Sequence, residues 1–279
     1  MKAFLQRYCR NYGAVIGLLV LLSVLALALL APVFYEESPW LMVAEPLVQP
    51  FTDPALPFGT DMLGRDITAG MLYGARVSLL VGVISTAVAL AVGIAVGAVA
   101  GYCGGRVDDA LMRITEFFQT IPQLAMAVVI VAIFNPSIYS IVAAISVVSW
   151  PPVARLVRGE FLSLKQREFV QAAVVIGQKP VRIIATQILP NAMSPIIVSA
   201  SFMVATAILT ESALAFLGLG DRNMMSWGFM IGAARTMIRE AWWMSVWPGV
   251  AILLTVLSIN LIGEGLNDAM NPQLRRRGE

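Results

Sequence analysis

The chain has no histidine among its 279 residues and only two cysteines. Its lysines are Lys2, Lys165 and Lys179 alone. Without histidine it lacks the commonest general base and the commonest metal ligand. No Cys-x-x-Cys, HExxH or G-x-S-x-G pattern occurs, and no lysine closes a G-x-x-x-x-G-K-[S/T] phosphate loop. A catalytic set is therefore missing, and any ATP-driven step would need another subunit to bind the nucleotide. Cys9 and Cys103 fall near the same membrane side, where neither is expected to enter a disulfide, and Cys103 reads as a small packing residue. Charge is scarce as well: 13% of residues are charged against 58% hydrophobic, which excludes an ordinary soluble domain.

Apolar runs dominate what is present. Charge-free stretches cover 13–34, 77–105, 117–154, 183–210 and 241–263. Each exceeds the roughly 20 residues that a helix needs to cross about 30 Å of hydrocarbon. The third is too long for one span, and Asn135-Pro136-Ser137 divides it, because proline removes a backbone donor and disfavours helix just before it. Six transmembrane helices are expected, at 13–34, 78–101, 116–134, 138–156, 193–216 and 244–264. Residues 1–34 imitate a signal peptide through Lys2, Arg7, Arg10 and Ala26-Leu27-Ala28. Their apolar run is longer than a typical signal core of about 7–15 residues, so a retained span is expected.

Six spans put both termini on one side. That side holds Lys2, Arg7, Arg10, Arg106, Arg113, Arg155, Arg158, Lys165, Arg167, Lys179, Arg182 and Arg275, Arg276 and Arg277. The other holds only Arg65, Arg76, Arg222, Arg235 and Arg239, with an acidic segment carrying Glu36, Glu37, Glu45, Asp53, Asp61 and Asp66. The positive-inside rule predicts that both termini are cytoplasmic.

The polar segment between the fourth and fifth spans is the most informative. Ser163-Leu164-Lys165-Gln166 fits a capping box at a helix start. Phe169, Ala172, Ala173 and Ile176 then recur at helical spacing on one face. Gly177 suits a left-handed stop, and Pro180 the first turn of a new helix. Such a face could seat in a groove of a partner or pack on the protein's own span ends.

Gln171-Ala172-Ala173, three residues, Gly177, eleven residues and Leu189-Pro190 resemble the EAA loop of bacterial ABC-transporter permeases. The motif glutamate is Gln171 here, and Gln187 stands where many members carry isoleucine. Further along the chain, Phe58-Gly59-Thr60-Asp61-Met62-Leu63-Gly64-Arg65-Asp66 resembles the signature of the second permease of dipeptide, oligopeptide and nickel importers. Tyr73 to Leu79, Phe216 to Gly220, Ser226-Trp227-Gly228 and Asn260 to Leu266 continue that likeness in order.

The resemblance implies an all-α integral membrane protein of the type I ABC importer permease architecture. It divides the chain into a cytoplasmic N-terminus at 1–12, a first span at 13–34, an extracytoplasmic loop at 35–75, a core at 76–267 containing a cytoplasmic coupling loop at 157–192, and a tail at 268–279. It implies that Phe169, Gln171, Ala172, Ala173, Gly177, Leu189 and Pro190 couple the chain to two ATP-binding subunits. A second homologous permease and an extracytoplasmic solute-binding protein would complete the assembly in the bacterial inner membrane. No cofactor is expected in this chain, ATP and magnesium belonging to the ATPase subunits; membrane lipid but no nucleic acid is expected as a partner. Short peptides are the expected cargo, with nickel, metal chelates or another small solute as alternatives. An ATP-independent secondary transporter and a membrane scaffold are readings of other classes.

Several residues carry two readings. Gly93, Gly97 and Gly101 predict close helix packing, within the subunit in preference to a partner. Glu211, inside an apolar span, is either a gate or path residue or a structural acid bonded to a neighbouring helix. Arg155 and Arg158 read as snorkelling arginines. Trp242, Trp243 and Trp247 read as an interfacial belt. Asp61, Arg65 and Asp66 are expected to brace the outer loop, the alternative being a seat for the binding protein.

Overall fold

A computed structural model describes residues 7–270. The remainder, including Lys2, Arg275, Arg276 and Arg277 and most of the expected tail at 268–279, lies outside the described residues. Among the described residues the chain is helical without a strand; two isolated bridges, Met42 to Arg65 and Thr60 to Asp66, tie the outer loop.

Helix α1 is Tyr12–Phe34, capped by the Asn11 side chain accepting from the Ala14 N–H. An irregular segment follows as far as Asp66. Helix α2 then runs Ile67–Cys103, starting where the Asp66 carboxylate accepts from the Thr68 N–H at 2.7 Å. It thus begins well inside the segment expected as loop up to residue 75, because a side-chain cap at Asp66 frees the chain to become helical at once.

The expected unbroken third span at 116–134 is corrected. Helix α3, Gly105–Thr120, and helix α4, Gln123–Phe134, meet at an 85° bend. Pro122 cannot donate, and it forces Ile121 into an extended conformation at ψ 129°. The uncharged part of the pair is α4, twelve residues or roughly 18 Å at 1.5 Å per residue. The second break falls where Asn135-Pro136-Ser137 predicts it. Asn135 is left-handed at φ 64°, and Ser137 and Ser140 form a reciprocal cap on helix α5, Ile138–Lys165.

Helix α5 is longer than the expected 138–156 and carries Pro151 and Pro152 within it. The remaining elements are α6 (Glu168–Val175), α7 (Pro180–Ile183), α8 (Leu189–Leu214), α9 (Trp227–Ala234) and α10 (Trp243–Met270). Five helices or helix runs are long and apolar enough to cross a membrane, and the bent α3–α4 pair makes a sixth candidate.

The most extensive packing joins α2 to α5. Its cause is the glycine series. A Cβ on Gly93 would lie 2.5 Å from the Val153 Cβ, one on Gly97 2.4 Å from the Ala154 carbonyl oxygen, and one on Gly101 2.6 Å from the Phe161 Cβ. The series therefore packs inside this subunit. At the basic end, Val153, Val157 and Phe161 of α5 join Ala98 of α2, Val170 and Ala173 of α6, and Ile183, Ile188 and Ile196 in one buried core. The loop after α5 is thus built into the bundle.

Arg158 does not snorkel. Its Nε and Nη2 donate to the two carboxylate oxygens of Asp108 at 2.5 and 2.7 Å, joining α5 to α3. The tryptophans are not a uniform belt either. Trp242 is half exposed, but Trp243 is buried and donates its indole N–H to the Thr60 carbonyl at 3.1 Å. Trp247 stacks on Phe58 with centroids 4.4 Å apart. Two of the three therefore pin the outer loop to α10. Within that loop Asp61 pairs with Arg65 at 3.6 Å and also accepts the backbone N–H groups of Leu63 and Arg65.

Candidate coupling site

Ser163 does not cap a helix start. It lies in the last turn of α5, which continues to Lys165 and turns at Gln166. Helix α6 begins at Glu168 after Arg167, without a side-chain cap. The pattern Ser-x-x-Gln met the sequence rule, but the preceding helix simply runs on through it. What joins the two helices is Gln171: its side-chain amide donates to the Lys165 carbonyl at 3.0 Å, satisfying an acceptor at the end of α5. A carboxylate at this position would lack that donor.

The eight residues of α6 turn Val170 and Ala173 inward, 1% and 4% exposed. Phe169, Ala172 and Ile176, grouped by spacing with Ala173, face outward. Val175 and Ile176 are 85% and 73% exposed, and Phe169 is 41% exposed. The expected single face is corrected to two: a small buried anchor and a broad exposed apolar surface. Burial of Val170 in the core beneath fixes which is which.

Gly177 takes φ +76°, and two backbone bonds close the helix, Gln178 N–H to the Ala173 carbonyl at 3.1 Å and Gly177 N–H to the Val174 carbonyl at 2.9 Å. This pairing satisfies two terminal carbonyls in a Schellman stop. Pro180 opens α7. A wide π-helical turn, Ile184–Ile188, then leads into α8. Pro190 explains the widening: it lacks an N–H, and its ring crowds the carbonyl four residues earlier. Leu189 is half-buried and Pro190 exposed. The site is consequently a short helix held by rigid turns on both sides, with an apolar surface that the described residues leave uncovered.

Glu211 lies far from this loop, in the last α-helical turn of α8, which runs on into a π-helical turn, Ala215–Leu219. It is 3% exposed. The Ser226 hydroxyl donates to one of its oxygens at 2.6 Å, and the same hydroxyl accepts from the Phe229 N–H to cap α9. Gly228 permits this approach, since a Cβ there would lie 2.9 and 3.0 Å from the two carboxylate oxygens. Trp227 adds a bond from its N–H to the Ser78 hydroxyl of α2. Glu211 is thus at the junction of α8, α9 and α2. No sequence signal linked it to Ser226, because the contact exists only once α9 folds back.

The family described as binding-protein-dependent transport system inner membrane component matches residues 93–276. The one described as the N-terminal TM domain of oligopeptide transport permease C matches residues 1–52. The chain is 38% identical over 281 residues to the di/tripeptide transport system permease protein DppC of Pseudomonas aeruginosa, covering 99% of this chain and 93% of that one. It is 38% identical to the dipeptide transport system permease protein DppC of Bacillus subtilis, over 97% of this chain and 85% of the relative. The oligopeptide transport system permease protein OppC of Escherichia coli K12 is 38% identical over 97% of this chain and 90% of its own length. Among solved structures, an inward-facing conformation of the MetNI methionine ABC transporter aligns with TM-score 0.62 at 15% identity, covering 72% of this chain and 97% of that one. That likeness shows the fold alone; together with the family match it makes this the fold of an ABC importer permease.

Proposed function

The chain belongs to the family of binding-protein-dependent transport system inner membrane components, and from that premise we propose that it forms part of the path for short peptides in an ATP-driven importer. Its relatives named for dipeptide and oligopeptide transport match it over nearly its whole length, which supports peptide cargo. Membership implies partners that hydrolyse ATP and partners that bind the solute. Two ATP-binding subunits, a second homologous permease and an extracytoplasmic binding protein make up the assembly we favour. The excess of arginine and lysine on the loop side of the bundle supports cytoplasmic termini.

The observation that carries the coupling role is the division of α6. Val170 and Ala173 anchor the helix in the core shared with α5 and α2, while Phe169, Val175 and Ile176 offer an apolar surface outward. A helix laid into a partner groove through such a surface is a common recognition mode. ATP binding draws the ATPases together, α6 follows, and α5 and α2 move with it. The cargo path then opens to the other side by a rigid-body change between two states. The ATPases hold the nucleotide and its magnesium; this chain transmits the motion.

The test is co-purification of the native complex through a tag at Glu279, with ATPase activity and uptake of a radiolabelled dipeptide measured together. Ile176→Asp and Phe169→Asp put charge on the exposed surface without touching the buried anchor. We expect both to release the ATPase and abolish uptake while the permease remains monodisperse. A charge at Ala173 would instead report on folding, since that side chain is enclosed. Full ATPase recovery and normal uptake with both exposed-face variants would sink the coupling reading.

A further inference from the structure

At the end of the bundle opposite α6, a cleft of about 370 Å³ opens between α2, the start of α5 and the segment before α9. Its size falls within the roughly 300–1,000 Å³ typical of small-molecule sites. Trp40, Tyr73, Leu80, Asn223 and Met224 line it, together with Arg76. Most of the wall is therefore apolar or uncharged, with a single cation.

The charge inventory around the cleft isolates Arg76. Asp221 touches two residues of the cleft wall, its carboxylate accepting the backbone N–H groups of Ile138 at 2.9 Å and Asn223 at 2.8 Å. Arg65 lies over the Trp40 ring at 5.0 Å and is paired with Asp61. Arg76 is exposed, and among the described residues it has neither ion pair nor hydrogen bond.

The Tyr73 hydroxyl donates to the Tyr35 carbonyl at 2.8 Å, and Tyr35 is the residue that ends the apolar helix α1. Arg76 lies three residues further along α2, about 4.5 Å along the helix axis at 1.5 Å per residue. A guanidinium left unpaired on the wall of a largely uncharged cleft is placed to receive an anion. A guanidinium offers a fixed fork of donors that matches a carboxylate.

We infer that this cleft is the outer entry subsite for the cargo, in which Arg76 receives the C-terminal carboxylate of a peptide while Trp40, Leu80 and Met224 contact its terminal side chain. The inference rests on the peptide-import reading above. It adds a specificity rule: a free carboxylate is required at the permease itself, apart from whatever the solute-binding protein selects.

The experiment uses the intact complex in vesicles with its solute-binding protein. Uptake of labelled dialanine is compared with that of its C-terminal amide, each at a concentration that loads the binding protein equally. Arg76→Gln is expected to lower free-acid uptake by about tenfold or more, the scale of a lost charge-assisted hydrogen bond, and to leave the amide within about twofold. Arg76→Lys should recover part of the free-acid rate. Should Arg76→Gln fail to assemble, Asn223→Asp sets a carboxylate on the same cleft and should lower free-acid uptake selectively. Equal losses for both peptides, or no loss for the free acid, overturn the inference. A selective loss that vanishes in vesicles without anionic lipid also overturns it, because the partner would then be a lipid phosphate. If the unaltered complex imports neither peptide, the peptide-import reading fails as well; if it imports dialanine but shows no selectivity, this inference alone fails.

Discussion

Replacing Gly97 with alanine should unseat the main helix pair of the bundle. The new Cβ would lie 2.4 Å from the Ala154 carbonyl oxygen, 2.8 Å from the Val157 Cβ and 3.1 Å from the Arg158 nitrogen. None of these atoms is the far end of a flexible side chain, so the two backbones must separate by roughly 1 Å to restore ordinary contact near 3.5 Å. Gly93 and Gly101 meet α5 just as closely one turn away on either side, so the strain has no nearby slack. Overpacking of this kind costs about 1–3 kcal/mol, which for a chain of this size lowers Tm by about 2–12 °C. The assay is thermal unfolding of detergent-solubilised protein followed by size-exclusion fluorescence. Gly159→Ala is the control: it lies in α5 with nothing within 4 Å of its would-be Cβ, and losing a helical glycine should be neutral or stabilising by about 0.5–1 kcal/mol. A Gly97→Ala protein melting within 1 °C of the parent, by about the precision of such scans, would refute the packing argument, as would an equal fall for Gly159→Ala.

Three further outcomes are expected. Asp108→Ala and Arg158→Ala should each destabilise the protein, and the double variant should lose less than their sum by about 0.5 kcal/mol or more; strict additivity in unfolding would show that the pair is not coupled. Gln171→Glu removes the donor to the Lys165 carbonyl and sets a negative charge at the carbonyl end of α5, so hydrogen exchange across residues 166–175 should accelerate several-fold; unchanged protection would contradict the bond. At Gly177, whose φ is +76°, stability should rank Gly above Asn above Ala, with alanine about 1 kcal/mol below glycine, read from the same melting assay; an alanine variant equal to the parent would deny the left-handed stop.

Much of the bundle was legible in the chain. The runs free of charge located the spans, and Asn135-Pro136-Ser137 located a break that is present. The spacing of Gly93, Gly97 and Gly101 announced a close helix contact, and Gly177 with Pro180 announced a stop and a restart. The failures have separate physical causes. Pro122 was overlooked inside an apolar run, where hydropathy continues through a bend that backbone donors do not. The false cap at Ser163 matched a local pattern, while α5 was held helical beyond it by packing against α2 and α6. The faces of α6 could not be assigned because apolar residues surround so short a helix on both sides. Only the core beneath Val170 decides its orientation. Arg158 and Asp108 are fifty positions apart, and Glu211 and Ser226 meet across a chain reversal. Such pairings are properties of the folded chain, and no window of sequence contains them.

Helix α5 has a mechanical consequence. It spans 28 residues, about 42 Å at 1.5 Å per residue, and it is fastened at intervals along that length. Asp221 holds its first turn, three glycines of α2 grip it from Trp150 to Phe161, Asp108 ties one flank, and Gln171 clasps the Lys165 carbonyl. Pro151 and Pro152 interrupt the hydrogen-bond ladder of α5, and the ties on either side of them limit the bending they would allow. Force applied at the α6 end is delivered as tilt. A rotation of about 7° shifts one end against the other by about 5 Å, close to the width of an extended peptide backbone. Under the coupling proposed above, the lever beside the cargo and the socket that receives the pull are two ends of a single helix, joined through the Pro151–Pro152 segment.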